Sequence, residues 1–290
     1  MKLHINGTDL FFDVYGSALK IEPGSVKLKP TLIVLHGGHG FVDHTMYVEF
    51  WSQFAEYAQV IFLDQRGCGR SQGTTAETWN LHQWAEDLHA FCQALNIEKP
   101  ILAGVSMGGH VLCDYVRHHA DQVGGLILCN TEARFDVDDV CEKFVTLGTP
   151  EGAAACREFY AEPTLAGLQK YLTLCVPYYA HNAYSPEELA RCLPNHEVFL
   201  HFCRQEMLQF DYVADLHKIH CPTLMMVGTD SLHVKQAAEI MQAEIPPQWL
   251  DYQLFERAGS PVYKDRPDLA FDVVKNFLRA LHGSSHSHMD

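Results

Sequence analysis

Basic residues are scarce in this chain. Lysine and arginine together number 21 against 36 aspartates and glutamates, a formal net charge of −15. Nucleic acid and anionic membranes need a basic face, so neither is an expected partner. Long apolar runs are missing too. The strongest, TLIVL at 31–35 and LILC at 126–129, are strand-sized, and no membrane span is expected. The opening MKLHINGTDLFF has no basic segment followed by an apolar one, so no secretory leader is expected. Ten cysteines occur, but none forms a C-x-x-C pair, and Cys113, Cys129 and Cys175 sit singly in apolar segments. Reduced, buried thiols in a cytoplasmic protein are the expectation. Eighteen histidines include no H-E-x-x-H or similar ligand spacing, so no metal is expected. Repeats and low-complexity linkers are absent, and the polar residues 283–290 are expected to be a disordered tail.

What is present is a large apolar fraction, 47% of 290 residues, enough for one sizeable core. Strand-like and helix-like segments alternate, the pattern of a mostly parallel sheet covered on both faces, an α/β fold. PTLIVLHGG and AQVIFLDQRG are short apolar runs ending in glycine loops. Between them and PILAGV lies a long amphipathic helix, with Leu81, Trp84, Ala85, Leu88, Phe91, Cys92 and Leu95 at three- and four-residue spacing. After Asn130 the alternation stops. Residues 132–210 carry helical patterns and many aromatics, and strands resume with PTLMMVG. The division expected is a core of 1–131 and 211–282 interrupted by a helical cap of 132–210. Ligands bind beyond the carboxyl ends of strands in such sheets, so the insert is placed to roof the site.

Gly104-Val-Ser106-Met-Gly108 lies between a strand and a helix, the context a nucleophile elbow requires. There a strained turn lifts the serine oxygen above the sheet, and the Met107 N–H at the helix N-terminus points toward a developing oxyanion. LHGGHG, 35–40, closes another strand, and the Gly38 N–H is the expected second donor. His36 reads as a structural hydrogen-bonder.

The octapeptide DQRGCGRS at 64–71, together with the HGG loop, resembles the proline-iminopeptidase-like branch of the α/β-hydrolase superfamily. The resemblance spans about Thr31 to Leu281. It implies an eight-stranded sheet, a helical cap and a Ser-Asp-His triad in that chain order. On the same grounds Asp64 and Arg66 brace a loop. Proline iminopeptidases usually carry tryptophan after the nucleophile, where this chain has Met107. The triad acid is expected after TLMMVG, where Asp230 is the carboxylate. Many relatives place that acid three residues after the glycine, and here that position is Ser231.

The base is missing. Relatives end with Gly-His, and Asp265 and Pro267 fix the frame that puts Ser260 in the histidine's place. A seryl hydroxyl does not accept a proton appreciably near neutral pH. His233, Lys264 and the insert's histidines are the weighed substitutes. The expected function is a cofactor-free serine hydrolase that cleaves a small carboxylic ester, lactone or amide through a Ser106 acyl-enzyme. The chain reads as an inactivated variant of it. The alternative is a non-catalytic small-molecule binding or receptor-like protein on the same scaffold, with a cofactor-free lyase or oxygenase behind both. The aromatics Phe159, Tyr160, Tyr171, Tyr178, Tyr179, Tyr184, Phe199, Phe202 and Phe210 could line an apolar pocket or form the insert's core. The acids Asp136, Asp138, Asp139, Glu142, Glu158 and Glu162 could hold a substrate amine or face solvent. The expected partner is a small molecule, with a homodimer left open.

Overall fold

The computed structural model describes residues 1–73, 75–182, 184–232 and 234–284, and the side chains of these except 234, 235 and 282–284. Ten strands run in chain order: β1 (Lys2–Ile5), β2 (Thr8–Tyr15), β3 (Leu19–Glu22), β4 (Ser25–Leu28), β5 (Thr31–Leu35), β6 (Gln59–Leu63), β7 (Ile101–Val105), β8 (Gly125–Cys129), β9 (Thr223–Gly228) and β10 (Leu250–Phe255). Eight of them form one sheet in the order β1-β2-β6-β5-β7-β8-β9-β10, and β3 and β4 form a separate hairpin. From β6 to β10 every neighbouring pair is parallel, while β1 and β2 pair antiparallel at one edge. The expected eight-stranded, mostly parallel α/β-hydrolase sheet is what the chain forms.

The helices are α1 (Val48–Trp51), α2 (Leu81–Ala94), α3 (Met107–His119), α4 (Val137–Thr146), α5 (Pro150–Ala161), α6 (Leu165–Leu174), α7 (Pro186–Arg191), α8 (His196–Gln205), α9 (Val234–Glu244), α10 (Val262–Asp265) and α11 (Pro267–Ser284). Strand residues alternate between two cores because successive side chains leave opposite faces. Ile33, Leu35, Ile61 and Leu63 join α2, α3 and the helices after β8. Leu32, Val34, Val60 and Phe62 join α1, α10 and α11. The helical insertion α4–α8 leaves the chain between β8 and β9, from the carboxyl end of β8.

Two details differ from the sequence expectation. Leu95 lies beyond α2 and is exposed, because the helix closes at Ala94. The apolar stripe instead includes a buried carboxylate, Asp87, which accepts two hydrogen bonds of 2.7 Å from the Arg66 guanidinium, one from Nε and one from Nη2. Helix α11 also continues through Ser284, past the start of the tail expected at 283, while 285–290 lie outside the described residues.

The Arg66–Asp87 pair is buried on both sides, and Arg66 also donates to the Asn6 carbonyl at 2.9 Å. It ties the loop after β6 to α2 and to the β1–β2 turn. Removing one partner strands the other charge out of water. Asp87→Ala is therefore expected to lower unfolding free energy by about 3–5 kcal/mol in chemical denaturation, and Arg66→Met/Asp87→Leu by clearly less.

Candidate active site

Ser106 joins β7 to α3 with φ 50° and ψ −124°, a left-handed conformation that a residue with a side chain rarely adopts. The turn is held from both sides. The Ser106 N–H donates to the Cys129 carbonyl at 2.9 Å, and the Gly109 N–H donates to the Ser106 carbonyl at 2.8 Å. A Cβ on Gly104 would lie 2.7 Å from Gly109 Cα, and one on Gly108 2.4 Å from the Leu35 carbonyl. Glycine at both sites is thus a packing requirement. Among the described residues no hydrogen bond engages Ser106 Oγ, and the residue is half-buried.

The glycine loop after β5 lies against this turn. A Cβ on Gly37 would come 2.7 Å from the Val105 carbonyl and 3.1 Å from Ser106 Cβ. Gly38 has φ 55°, and its carbonyl accepts from Phe41 and Val42. Neither the Gly38 nor the Met107 N–H donates to another group among the described residues. His36 is fully buried; its Nε2 accepts from the Gln65 N–H at 3.2 Å and its Nδ1 donates to the Gly37 carbonyl at 2.9 Å. Both nitrogens are therefore used in bracing the loop. Burial pushes the His36 imidazolium below its usual range, despite the nearby Asp64 charge.

Asp64 is spent on structure as well. It accepts from the His44 N–H, His44 Nδ1 and the Arg70 N–H at 2.7–3.0 Å. Burial by itself would raise its carboxyl, but the His44 hydrogen bond and the surrounding charges outweigh that and lower it. For His44 burial opposes the charged form, and the Asp64 bond raises it. His39, between Gly38 and Gly40, is a residue the sequence reading passed over. It is fully buried, stacked on Trp84 at 4.2 Å and edge-on to Phe202, with the Met107 backbone and the Gln65 side chain as its polar neighbours. Burial takes it well below the usual histidine range, with the His36 and His110 rings adding to the effect.

At 260, the expected base position, and at 231, where many relatives place the acid, the structure puts two hydroxyls together. Ser231 is buried, and its Oγ lies 3.0 Å from Ser260 Oγ. Asp230, expected to orient a base at 260, turns the other way. Its Oδ2 pairs with His181 Nε2 at 2.8 Å on a surface where both side chains are about half exposed. The reason is the turn closed by the Ser231 N–H to the Gly228 carbonyl, while the Asp230 N–H is held by the Ala258 carbonyl. This sends residues 230 and 231 to different sides. Of the weighed substitutes, Lys264 is committed to both Glu188 oxygens at 2.6 and 2.9 Å, and His233 lies outside the described residues.

The insertion is fastened over this region. Tyr179 O accepts the Ser260 N–H at 2.7 Å, and the Asp265 carboxylate accepts from Gly259, His181 and Asn182 N–H groups. Asn195 N–H reaches the Gly40 carbonyl at 2.7 Å, and Leu193 N–H reaches Asp43 at 2.8 Å. Most of its aromatics are packing groups: Phe159 contacts Tyr160, Tyr171 and Phe199 in one cluster, while Tyr178 is exposed. The acids sit outside. Asp138 pairs with Arg157, Glu158 with Lys170, and Asp136 caps α4. A buried carboxylate at the root of the insertion is Glu132, 3.1 Å from His110 Nε2, a pair with no linear signal because its partners come from just after β8 and from α3.

Two outcomes follow. Ser106→Gly relieves the left-handed strain and is expected to raise unfolding free energy by about 1 kcal/mol in denaturant titration, after the larger chain entropy of glycine is offset. Burial holds both His36 and His39 below the ordinary histidine value of 6.5, so the unfolded chain takes up these protons first. Stability from them rises with pH through this window and is lost as pH falls through 6.5. His44 contributes oppositely, losing its part as pH rises through its raised folded value. The two lowered groups outnumber it, so Tm is expected to fall between about pH 7.5 and about pH 5.5. His39→Phe, which keeps the ring against Trp84, is expected to flatten that fall.

Residues 30–267 match the family model described as alpha/beta hydrolase fold. The chain is 27% identical to a proline iminopeptidase of Lactobacillus helveticus over 86% of its own length and 90% of the relative's. It is 29% identical to a 2-hydroxy-6-oxononadienedioate/2-hydroxy-6-oxononatrienedioate hydrolase of Paraburkholderia phymatum, covering 71% and 72%. Among solved structures it superposes on a proline iminopeptidase of Mycobacterium smegmatis with a TM-score of 0.77 at 19% identity, covering 98% and 99%. An enol-lactonase of Burkholderia xenovorans LB400 gives 0.69 at 20% identity, covering 96% and 100%. With its sheet order and strained Ser106 turn already described, the chain belongs to the α/β-hydrolase fold family, and within it is similar to the proline-iminopeptidase-like branch.

Proposed function

We propose that this protein is built to hydrolyse a small carboxylic ester, lactone or amide by attack of Ser106, with turnover suppressed by the seryl pair at 231 and 260. The observation that carries this reading is the Ser106 turn, strained and wedged against a glycine loop whose Gly38 N–H, like that of Met107, is uncommitted. Ser106 Oγ would bond to the carbonyl carbon while the carbonyl electron pair moves onto oxygen, where the two N–H groups stabilise it. The leaving alcohol or amine departs with a proton, and water then releases the acid from the acyl-enzyme.

Among the described residues the proton from Ser106 has no hydrogen-bonded acceptor. Ser260 is a hydroxyl, and Ser231 offers no carboxylate to orient an imidazole. In serine hydrolases, loss of the relay costs on the order of 10⁴–10⁶-fold in turnover, and a residual ~10³–10⁴-fold over water comes from binding and the oxyanion hole. Two relay positions carry hydroxyls, so a histidine at 260 alone lacks its carboxylate partner. An aminopeptidase activity, suggested by the relatives' names, needs an acid for the substrate amine. Of the insertion's acids, Asp138 and Glu158 are paired at the surface, Asp136 caps α4, and Glu132 is engaged by His110, so the uncharged ester or lactone fits better. The Ser231–Ser260 pair also supports a second reading, a small-molecule binding protein that keeps the scaffold and does not turn over.

An activated nitrophenyl ester separates the two. Ser260→His/Ser231→Asp is expected to exceed the parent in steady-state turnover by on the order of 10⁴-fold, and Ser260→His by far less. Adding Ser106→Ala should abolish the gain. A folded double variant that turns over no faster than the parent would sink the hydrolase reading and leave the binding one.

A further inference from the structure

Away from Ser106, α2 and α3 pack side by side and bring together a set of donors. His82 comes from the first turn of α2, and Asp114 and His118 lie one turn apart on α3. His82 Nδ1 is 3.1 Å from Asp114 Oδ2, and His118 Nε2 is 3.9 Å from Asp114 Oδ1. The ring centroids of the two histidines are 4.9 Å apart, and the three donor atoms all fall within 4.8 Å of one another. Two ligands on one tetrahedral Zn²⁺, at bonds of 2.0–2.1 Å, are separated by about 3.3 Å. The first separation already meets this, and the others close by rotation of side chains that are 59% and 41% exposed.

Asp114 is the second observation. Its side chain is 3% exposed, and among the described residues no lysine or arginine pairs with it. The nearest arginine on its own helix, Arg117, is directed to Asp215. Around it stand Glu206, whose carboxyl is pushed up by burial with the Asp114 charge adding to the shift, and the Tyr212 hydroxyl. A carboxylate out of water without a fixed cation is costly. Among the described residues the groups set against it are the Tyr212 hydroxyl and two imidazoles, none of them a fixed cation, and imidazole with carboxylate is a donor set suited to borderline divalent ions.

We propose that His82, His118 and Asp114 bind one divalent transition-metal ion of the Zn²⁺, Ni²⁺ or Cu²⁺ class and clamp α2 to the helix that begins at the nucleophile turn. Water completes the coordination on the exposed side, as in three-ligand zinc sites. Mg²⁺, which prefers oxygen ligands, is not held. The site has no linear motif because its ligands come from two helices more than thirty residues apart.

The test is titration of the metal-stripped full chain with Zn²⁺ by calorimetry, beside His118→Ala and His82→Ala/His118→Ala. All three proteins keep His282, His286 and His288, so tail binding cancels. The expected result is one Zn²⁺ more in the parent than in the double variant, at least a tenfold weaker site in His118→Ala, and a Tm rise of about 5 °C with excess Zn²⁺ that the double variant loses and Mg²⁺ does not produce. The substituted side chains are exposed, and matching circular dichroism confirms that the variants fold. Equal Zn²⁺ uptake and equal Tm response in parent and double variant would overturn the proposal, as would no uptake by the parent.

Discussion

The end of β5 and the turn from β7 into α3 approach until only hydrogen fits between their backbones. A single Cβ on Gly108 would reach within 2.4 Å of the Leu35 carbonyl, and one on Gly37 within 2.7 Å of the Val105 carbonyl. Parallel pairing of β5 with β7 sets the two strand ends at one level, so the glycine loop and the serine turn meet there. Ser106 is thereby held at φ 50°, a strain the surrounding packing maintains. The positions of the Gly38 and Met107 N–H groups, and of the loop that His36 braces, follow from that contact.

The next layer is polar and buried. Arg66–Asp87, His44–Asp64 and His36 with Gln65 each satisfy groups that would be costly if left alone. They hold the loops after β5 and β6 rigid beneath the insertion. The insertion is fastened in turn through Asp43, Gly40, Asp265 and Asp230. Asp265 and Asp230 therefore contribute to joining the insertion to the core. Where the loops after β9 and β10 meet, Ser231 and Ser260 satisfy each other as neutral groups. Such a pair cannot move a proton in the way an imidazole–carboxylate pair does.

Much of the fold was legible because parallel, doubly covered strands read as unbroken apolar runs and helices as three- and four-residue stripes. Elements such as TLIVL and the 81–94 helix carry their own signal. The limits were local. Leu95 continues the stripe in sequence although the helix ends at Ala94, and the burial of Asp87 depends on Arg66, which reaches it from another segment. The nucleophile turn was equally legible, since glycine spacing and strand–helix context sit in one short stretch. The relay was not. Whether 230 or 231 faces 260 depends on a single turn, and spacing alone does not orient a side chain.

By itself, then, the sequence determined the α/β layering, the helical interruption after β8, the serine turn with its glycine loop, and the absence of histidine at 260. These are properties of contiguous residues, governed by periodicity, turn chemistry and residue identity. Only the tertiary structure decided that Asp230 points to His181, that Ser231 meets Ser260, that His110 finds Glu132, and that His82 gathers with Asp114 and His118. Each of these joins segments far apart in the chain, and their meeting depends on how the sheet, helices and insertion pack rather than on any local pattern.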